Sequence, residues 1–348
     1  MKRTPPCLIA FAASLTALCT VGASEPSVLS TPVQGVFIRG RALAIAAYKL
    51  QPGMFNLRHT PLAGGPARDS PLSILMASPR LWHVAHGYLW VSYNQNITGG
   101  FGSVQDALCR YRVDGFLDDK WITTPEVDEN NIHFSFFIGS YPPLGYARYL
   151  NPSAVYDVLP TSENSVLLFQ LCNAAGFDCE GKFGTPDKDD SKEPSWSIAM
   201  YTYKNKWDAK AGNWGKGKWE RAGVIEGSSH EQFHVLGKGD DYYFVTDSGK
   251  LTRAPKPDKG MDRKMETVWD DKKRPIAAFI TDADADRTFL FCKPDKDGKG
   301  VYFEMSDKPD LRPYDATKIP EAKTADQLPA VLAYVKILVA DKKIKAKE

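Results

Sequence analysis

The sequence predicts an all-β chain: a single β-propeller of five or six four-stranded blades, closed by a C-terminal amphipathic helix. Three observations predict it. Residues 230–269 hold four short strand-like runs parted by turn residues, the size and content of one blade. Units of the same kind recur at forty-odd residue spacing. The last residues switch from period-2 alternation to helical periodicity.

The chain opens with Lys2 and Arg3, then an apolar run over residues 8–21, then Val21-Gly22-Ala23 before the polar Glu25-Pro26. This reads as a secretory signal peptide over residues 1–23, cut after Ala23. The apolar run is shorter than the ~20 residues a membrane-spanning helix needs. The domain expectation is therefore a signal over 1–23, a propeller over 24–315 and a helical tail over 316–348, with the mature chain secreted or periplasmic.

The first blade is expected from residues 36–38, 43–48 and 54–58. The second is clearer: residues 81–85 turn at His86-Gly87 into 88–93, followed by 107–113 and 120–123. Residues 131–139 (NIHFSFFIG) read as an inner strand whose blade is short of partners. Residues 154–159, 165–171, 196–203 and 219–225 make a third clear unit, interrupted by a charged insertion over 180–194 that reads as a solvated loop. In the 230–269 unit, residues 231–236 alternate and Gly237-Lys238-Gly239 breaks them. Residues 241–246 are aromatic and β-branched, as strands favour, and Asp247-Ser248-Gly249 is a hairpin signal. A last unit runs over 276–281, 288–292, 300–305 and 311–314. Taking Ile45, Trp90, Phe134, Leu168, Phe244 and Leu290 as markers gives spacings of 45, 44, 34, 76 and 46 residues, which puts six blades slightly ahead of five. The alternative architectures are a β-sandwich or two small β-domains.

In the tail, Leu328, Val331, Leu332, Val335, Leu338 and Val339 recur at helical spacing. Thr324 is the expected N-cap with Gln327 completing a capping box, and lysines end the segment. A helix over about 325–343 is expected to lay its apolar stripe on the outside of the propeller.

The chain resembles extracellular β-propeller proteins in general architecture. No repeat signature ties it to one family, so the resemblance implies no site residues.

Composition limits function. The chain has 43% hydrophobic residues and 8 Trp, ample for a core, and loss of Lys2 and Arg3 lowers the formal charge from +2 to 0. A neutral chain gives no support for nucleic acid as a partner, and no later apolar run is long enough for an integral membrane segment. A monomer is expected. Of six cysteines, Cys7 and Cys19 leave with the signal. Cys109, Cys172, Cys179 and Cys292 remain, with Cys172 to Cys179 the favoured disulfide and buried thiols the alternative.

His230-Glu231-Gln232-Phe233-His234 matches H-E-x-x-H, which binds zinc only on a helix. Its flanks read as strand, where the two histidines would lie ~13 Å apart. Asp282, Asp284 and Asp286 open like a calcium loop but lack its glycine and its terminal glutamate, so a polar hairpin is expected. The stronger constellation needs the blades aligned. His83, His133, Asp157 and His234 each stand between two apolar residues in an expected inner strand. Inner strands line a propeller's channel, so these four could converge there and hold a divalent metal, the one cofactor the sequence suggests. The plainer reading is that they hydrogen-bond neighbouring blades. Two functions follow: a binding module for a protein, carbohydrate or small molecule, or a metal-dependent hydrolase or lyase working from the channel. The sequence names no catalytic residue.

Overall fold

The computed structural model describes residues 32–47, 55–71, 79–96, 104–113, 117, 133–136, 156–163, 165–173, 196–204, 207–208, 213–214, 218–228, 231–256, 263–322 and 326–345. The signal segment, residue 230, the charged insertion and Cys179 lie outside them.

Strands β1–β4 (Val33–Ile38, Arg41–Ala47, Phe55–Pro61, Arg68–Pro71) form a first antiparallel meander. Strands β5–β8 (Pro79–Ala85, Tyr88–Asn96, Val104–Arg112, His133–Phe136) form a second. The third is β9 (Tyr156–Ser162), β10 (Ser165–Asn173), β11 (Trp196–Lys204) and β14 (Lys218–Ser228), with a small hairpin, β12 (Trp207–Asp208) and β13 (Asn213–Trp214), between its last two strands. The fourth is β15 (Phe233–Lys238), β16 (Asp241–Thr246), β17 (Leu251–Pro255) and β19 (Glu266–Trp269); β18 (Arg263–Lys264) reaches back to pair with β14 of the third. The fifth is β20–β23 (Ile276–Asp282, Arg287–Cys292, Lys299–Glu304, Arg312–Asp315).

The chain is a β-propeller, and the described residues form five blades. The inner strands β1, β5, β9, β15 and β20 meet in a ring. Gln34 of β1 donates to the Trp82 carbonyl of β5. His83 of β5 faces Asp157 of β9, and Asp157 accepts from the main chain of Val235 in β15. His234 of β15 stacks on Phe279 of β20. Strands β20 and β1 pair in parallel from Val33↔Ala278 to Phe37↔Asp282, which closes the circle.

The sequence dictates this locally. In β16 the run DYYFVT is buried at every position but its first, because a middle strand of a blade is covered on both faces. The turn after it needs Gly249, whose φ of +79° disfavours a side chain and whose Cβ would lie 2.5 Å from the Ile276 nitrogen. Asp282, Asp284 and Asp286 form the expected hairpin turn. Asp282 Oδ1 accepts from the amides of Asp284 and Ala285, and Asp284 accepts from Arg39 N.

Helix α1 spans Leu328–Ala340, shorter than expected at both ends. Pro329 lies in its first turn, where a missing N–H costs nothing. The expected cap, Thr324, lies outside the described residues; the N-cap position falls at Gln327, and the preceding Asp326 has Oδ1 accepting from Leu328 N at 3.0 Å and Oδ2 paired with Arg58 of β3. Gln327 makes no side-chain cap. The helix does not lie outside the ring. Its Val331, Val335 and Leu338 are buried with Ala42 and Ala44 of the first blade and Ala278, Ile280, Phe289 and Phe291 of the fifth. It fills the seam between first and last blades. No helix among the described residues is long and apolar enough to cross a membrane.

Two expectations are corrected. Of residues 131–139, those described, His133–Phe136, do not begin a blade. The strand within them, His133–Phe136, is the outermost of the second blade and pairs with β7, Cys109 opposite His133. Six blades therefore become five, and His133 stands on a different strand from the channel.

Candidate functional site: a cluster in the channel

Three of the four aligned polar residues meet. His83, the fifth residue of β5, and Asp157 and His234, each the second residue of its strand, bring one ligand atom apiece within 4.8 Å of one another. Each belongs to a different inner strand, so the site exists only when the ring is assembled.

Asp157 is the hub. Its side chain is 0% exposed, and each oxygen accepts a main-chain amide at 2.6 Å, Val158 on Oδ1 and Val235 on Oδ2. Oδ1 also lies 3.4 Å from His83 Nε2, and Oδ2 lies 3.3 Å from His234 Nδ1. The second of these contacts is out of hydrogen-bond geometry, and neither ring nitrogen of His234 has a hydrogen-bond partner. Among the described residues no Lys or Arg pairs with Asp157.

His234 is held on both faces. Its ring stacks on His83 at 4.5 Å and on Phe279 at 4.8 Å. Burial, with His83 assisting and Asp157 opposing, lowers its pKa to about 3, so the imidazole is neutral across the physiological range. His83 has one stacking neighbour and a side chain 10% exposed toward a cavity of about 760 Å³. That funnel opens where the inner strands end in their hairpins; Gln34, Thr161, Lys238 and Lys256 stand on its walls.

The H-E-x-x-H match carries no helical zinc site. Phe233 to Lys238 is strand, and of the motif's described residues only His234 enters the cluster, His230 lying outside them. Glu266, the acidic residue downstream that a zinc site of this type would need as third ligand, pairs with Arg253 at 2.9 Å. Sequence reasoning did not find Phe279 or Gln34. Phe279 lies in an unbroken apolar run, which gives no sign that its ring clamps a histidine. Cys292 is buried without a disulfide, and burial raises its thiol to about 12, so it is inert.

No known protein family matches the chain, and no curated protein matches it. Solved structures overlap it loosely. A GH43_1 enzyme from Xanthomonas citri complexed with xylose is 8% identical with a TM-score of 0.38, over 77% of this chain and 82% of that one. A xylan β-1,4-xylosidase from Bacillus halodurans is 10% identical with a TM-score of 0.38, over 86% of this chain and 58% of that one. An acylaminoacyl peptidase from Pyrococcus horikoshii is 9% identical with a TM-score of 0.35, over 79% and 36%. Overlaps this loose bring no residue correspondence and no activity to the channel cluster.

Proposed function

We propose that the protein is an exported β-propeller hydrolase that holds a divalent metal in its channel with His83, Asp157 and His234. One observation carries the reading: a buried, neutral imidazole with two unpartnered nitrogens lies against a carboxylate that no described cation neutralises. Buried charges are paired or bind metals, and unpaired buried polar atoms are costly. Two imidazoles and one carboxylate suit Zn²⁺ and similar ions, and three protein ligands leave a position for water. A bound ion would supply an activated water at the floor of the funnel. The funnel's volume is in the range of small-molecule sites, which favours a small substrate over a protein surface.

The donor types fit a metal, but the ring stack does not fit as it stands. Parallel rings at 4.5 Å cannot both aim an in-plane lone pair at one ion. His234 is pinned between two rings, so the ligand that turns is His83, the partly exposed one. The second reading is a binding module in which Asp157 only ties blades together; its bond from the Val235 amide of the next blade favours that.

The experiment is metal content of the purified mature protein after chelation and re-equilibration with Zn²⁺, Mn²⁺ or Ca²⁺, followed by assay on a panel of chromogenic esters. One equivalent of metal is expected, lost in His83→Ala and His234→Ala with far-UV circular dichroism unchanged. Failure to retain any ion removes the reading. Metal without metal-dependent hydrolysis leaves the binding module.

Export belongs to the same proposal, as does a Cys172–Cys179 disulfide, which rests on the leader-like start, the even cysteine count and the short spacing. Peptide mapping without reductant is expected to recover the pair linked; recovery of both as free thiols would remove the disulfide.

A further inference from the structure

We propose that a second cavity, between the third and fourth blades, binds a small organic ammonium through Glu231 and Thr252. The cavity holds about 280 Å³ and lies at the opposite ends of β15 and β16 from the funnel. It is therefore separate from the channel cluster.

Its floor is apolar: Ile198, Phe233, Phe244 and Met265. Phe233 and Phe244 meet edge to face at 5.7 Å, giving a fixed surface for a hydrocarbon body. Its wall is polar, with Glu231, Thr246, Lys250 and Thr252 along it. Thr252 is 5% exposed, and its Oγ1 is buried without a hydrogen-bond partner. A buried hydroxyl in that state points to a missing partner, which an incoming donor can supply. Glu231 lines the same space and accepts from Ser248 Oγ at 2.7 Å, a neutral partner. Among the described residues, the one cation on the wall, Lys250, is answered by Asp270 at 3.2 Å. The uncompensated charge is thus negative.

Asp247 stands beside Glu231. Partial burial, then the Glu231 charge, raises its carboxyl to about 6, although the residue as a whole is exposed. Geometry carries the assignment, and this crowding of carboxylates agrees with its sign. An ammonium has three donors and no acceptor, so it can serve Glu231 and Thr252 together, which a carboxylate or ether cannot.

The test is calorimetry on the full mature protein at pH 7.5 with phenethylamine, 2-phenylethanol and 3-phenylpropionate. These share an aromatic body and differ in head group. The amine is expected to bind at least about 10-fold tighter than the alcohol, a gap of roughly 1.4 kcal/mol, and the acid not at all. Glu231→Gln should erase that preference while leaving channel metal content unchanged. Thr252→Val should weaken the amine several-fold yet hold or raise Tm, because an apolar isostere removes an unpaired buried hydroxyl. The assignment is overturned by no saturable amine binding at millimolar concentration, by equal binding of amine and alcohol, by a preference that survives Glu231→Gln, or by a Thr252→Val protein with raised Tm and unaltered amine affinity.

Discussion

The fourth and fifth blades meet face to face, whereas the fifth and first do not. Between the fourth and fifth, Leu236, Tyr243, Val245 and Leu251 press directly on Phe279, Leu290 and Phe303. At the other junction the strands offer Gly35, Ala42, Ala44 and Ala278, and α1 occupies the space they leave. The difference is one of volume. Large side chains fill a blade interface alone; small ones need an inserted element. The closing seam is thus a three-body junction in which the first blade depends on a helix at the other end of the chain.

The sharpest way to break the comparison is to remove the insert. Replacing Val335 with Asp puts a charge among residues 0–7% exposed and should cost more than ~4 kcal/mol, read as insolubility or loss of a cooperative melt. The matched change in the direct interface, Leu290→Ala, should cost ~2–5 kcal/mol in a denaturant titration. If the helix variant were the milder, the seam would not depend on α1.

A finer test asks whether small residues are required. A Cβ on Gly35 would collide with Val331 and stand 2.7 Å from Ile280, so Gly35→Ala should cost ~1–3 kcal/mol. Val331→Ala alone should also destabilise. The double variant should lose less than the sum by at least ~0.5 kcal/mol, since each relieves the other's misfit. Additive losses would disprove the contact.

Smaller again is the tether at the helix end, where Tyr302 donates to Asp341 Oδ2 at 2.5 Å. Tyr302→Phe should cost ~1 kcal/mol by chemical denaturation. The smallest effect concerns pH. Burial first, then Arg41 and Arg68, lower His59 on β3 from 6.5 to about 4, against a pull from Asp69. Its native pKa is below the unfolded one, so the unfolded chain gains protons first. The contribution is intact above about 6.5 and is lost as pH falls toward 4. His59→Gln should flatten the Tm–pH curve in that window; an unchanged slope would show that His59 is not kept neutral.

Much of this was legible in the sequence. Turn glycines and alternating runs marked the strands of the fourth and fifth blades, since both signals are local. Radial position was not local. His83 and His133 have the same immediate pattern, a polar residue between apolar ones, yet one stands on an inner strand and the other on an outer strand. Only pairing partners tell them apart. The helix was legible from its period, but its first residue depended on Asp326 being held by Arg58, a contact between residues 268 apart in sequence. The cluster was found through its polar members; the ring that fixes His234 was hidden in an apolar run.

The parallel pairing of β1 with β20 has a consequence for synthesis. Strand β1 leaves the ribosome roughly 240 residues before its partner, a delay of ~12–50 s at ~5–20 residues per second. During that interval its free edge is an unpaired row of amides and carbonyls, open to any other nascent strand. Folding of the last blade is therefore also the step that ends this exposure, and chaperone demand should be greatest just before residues 276–282 emerge.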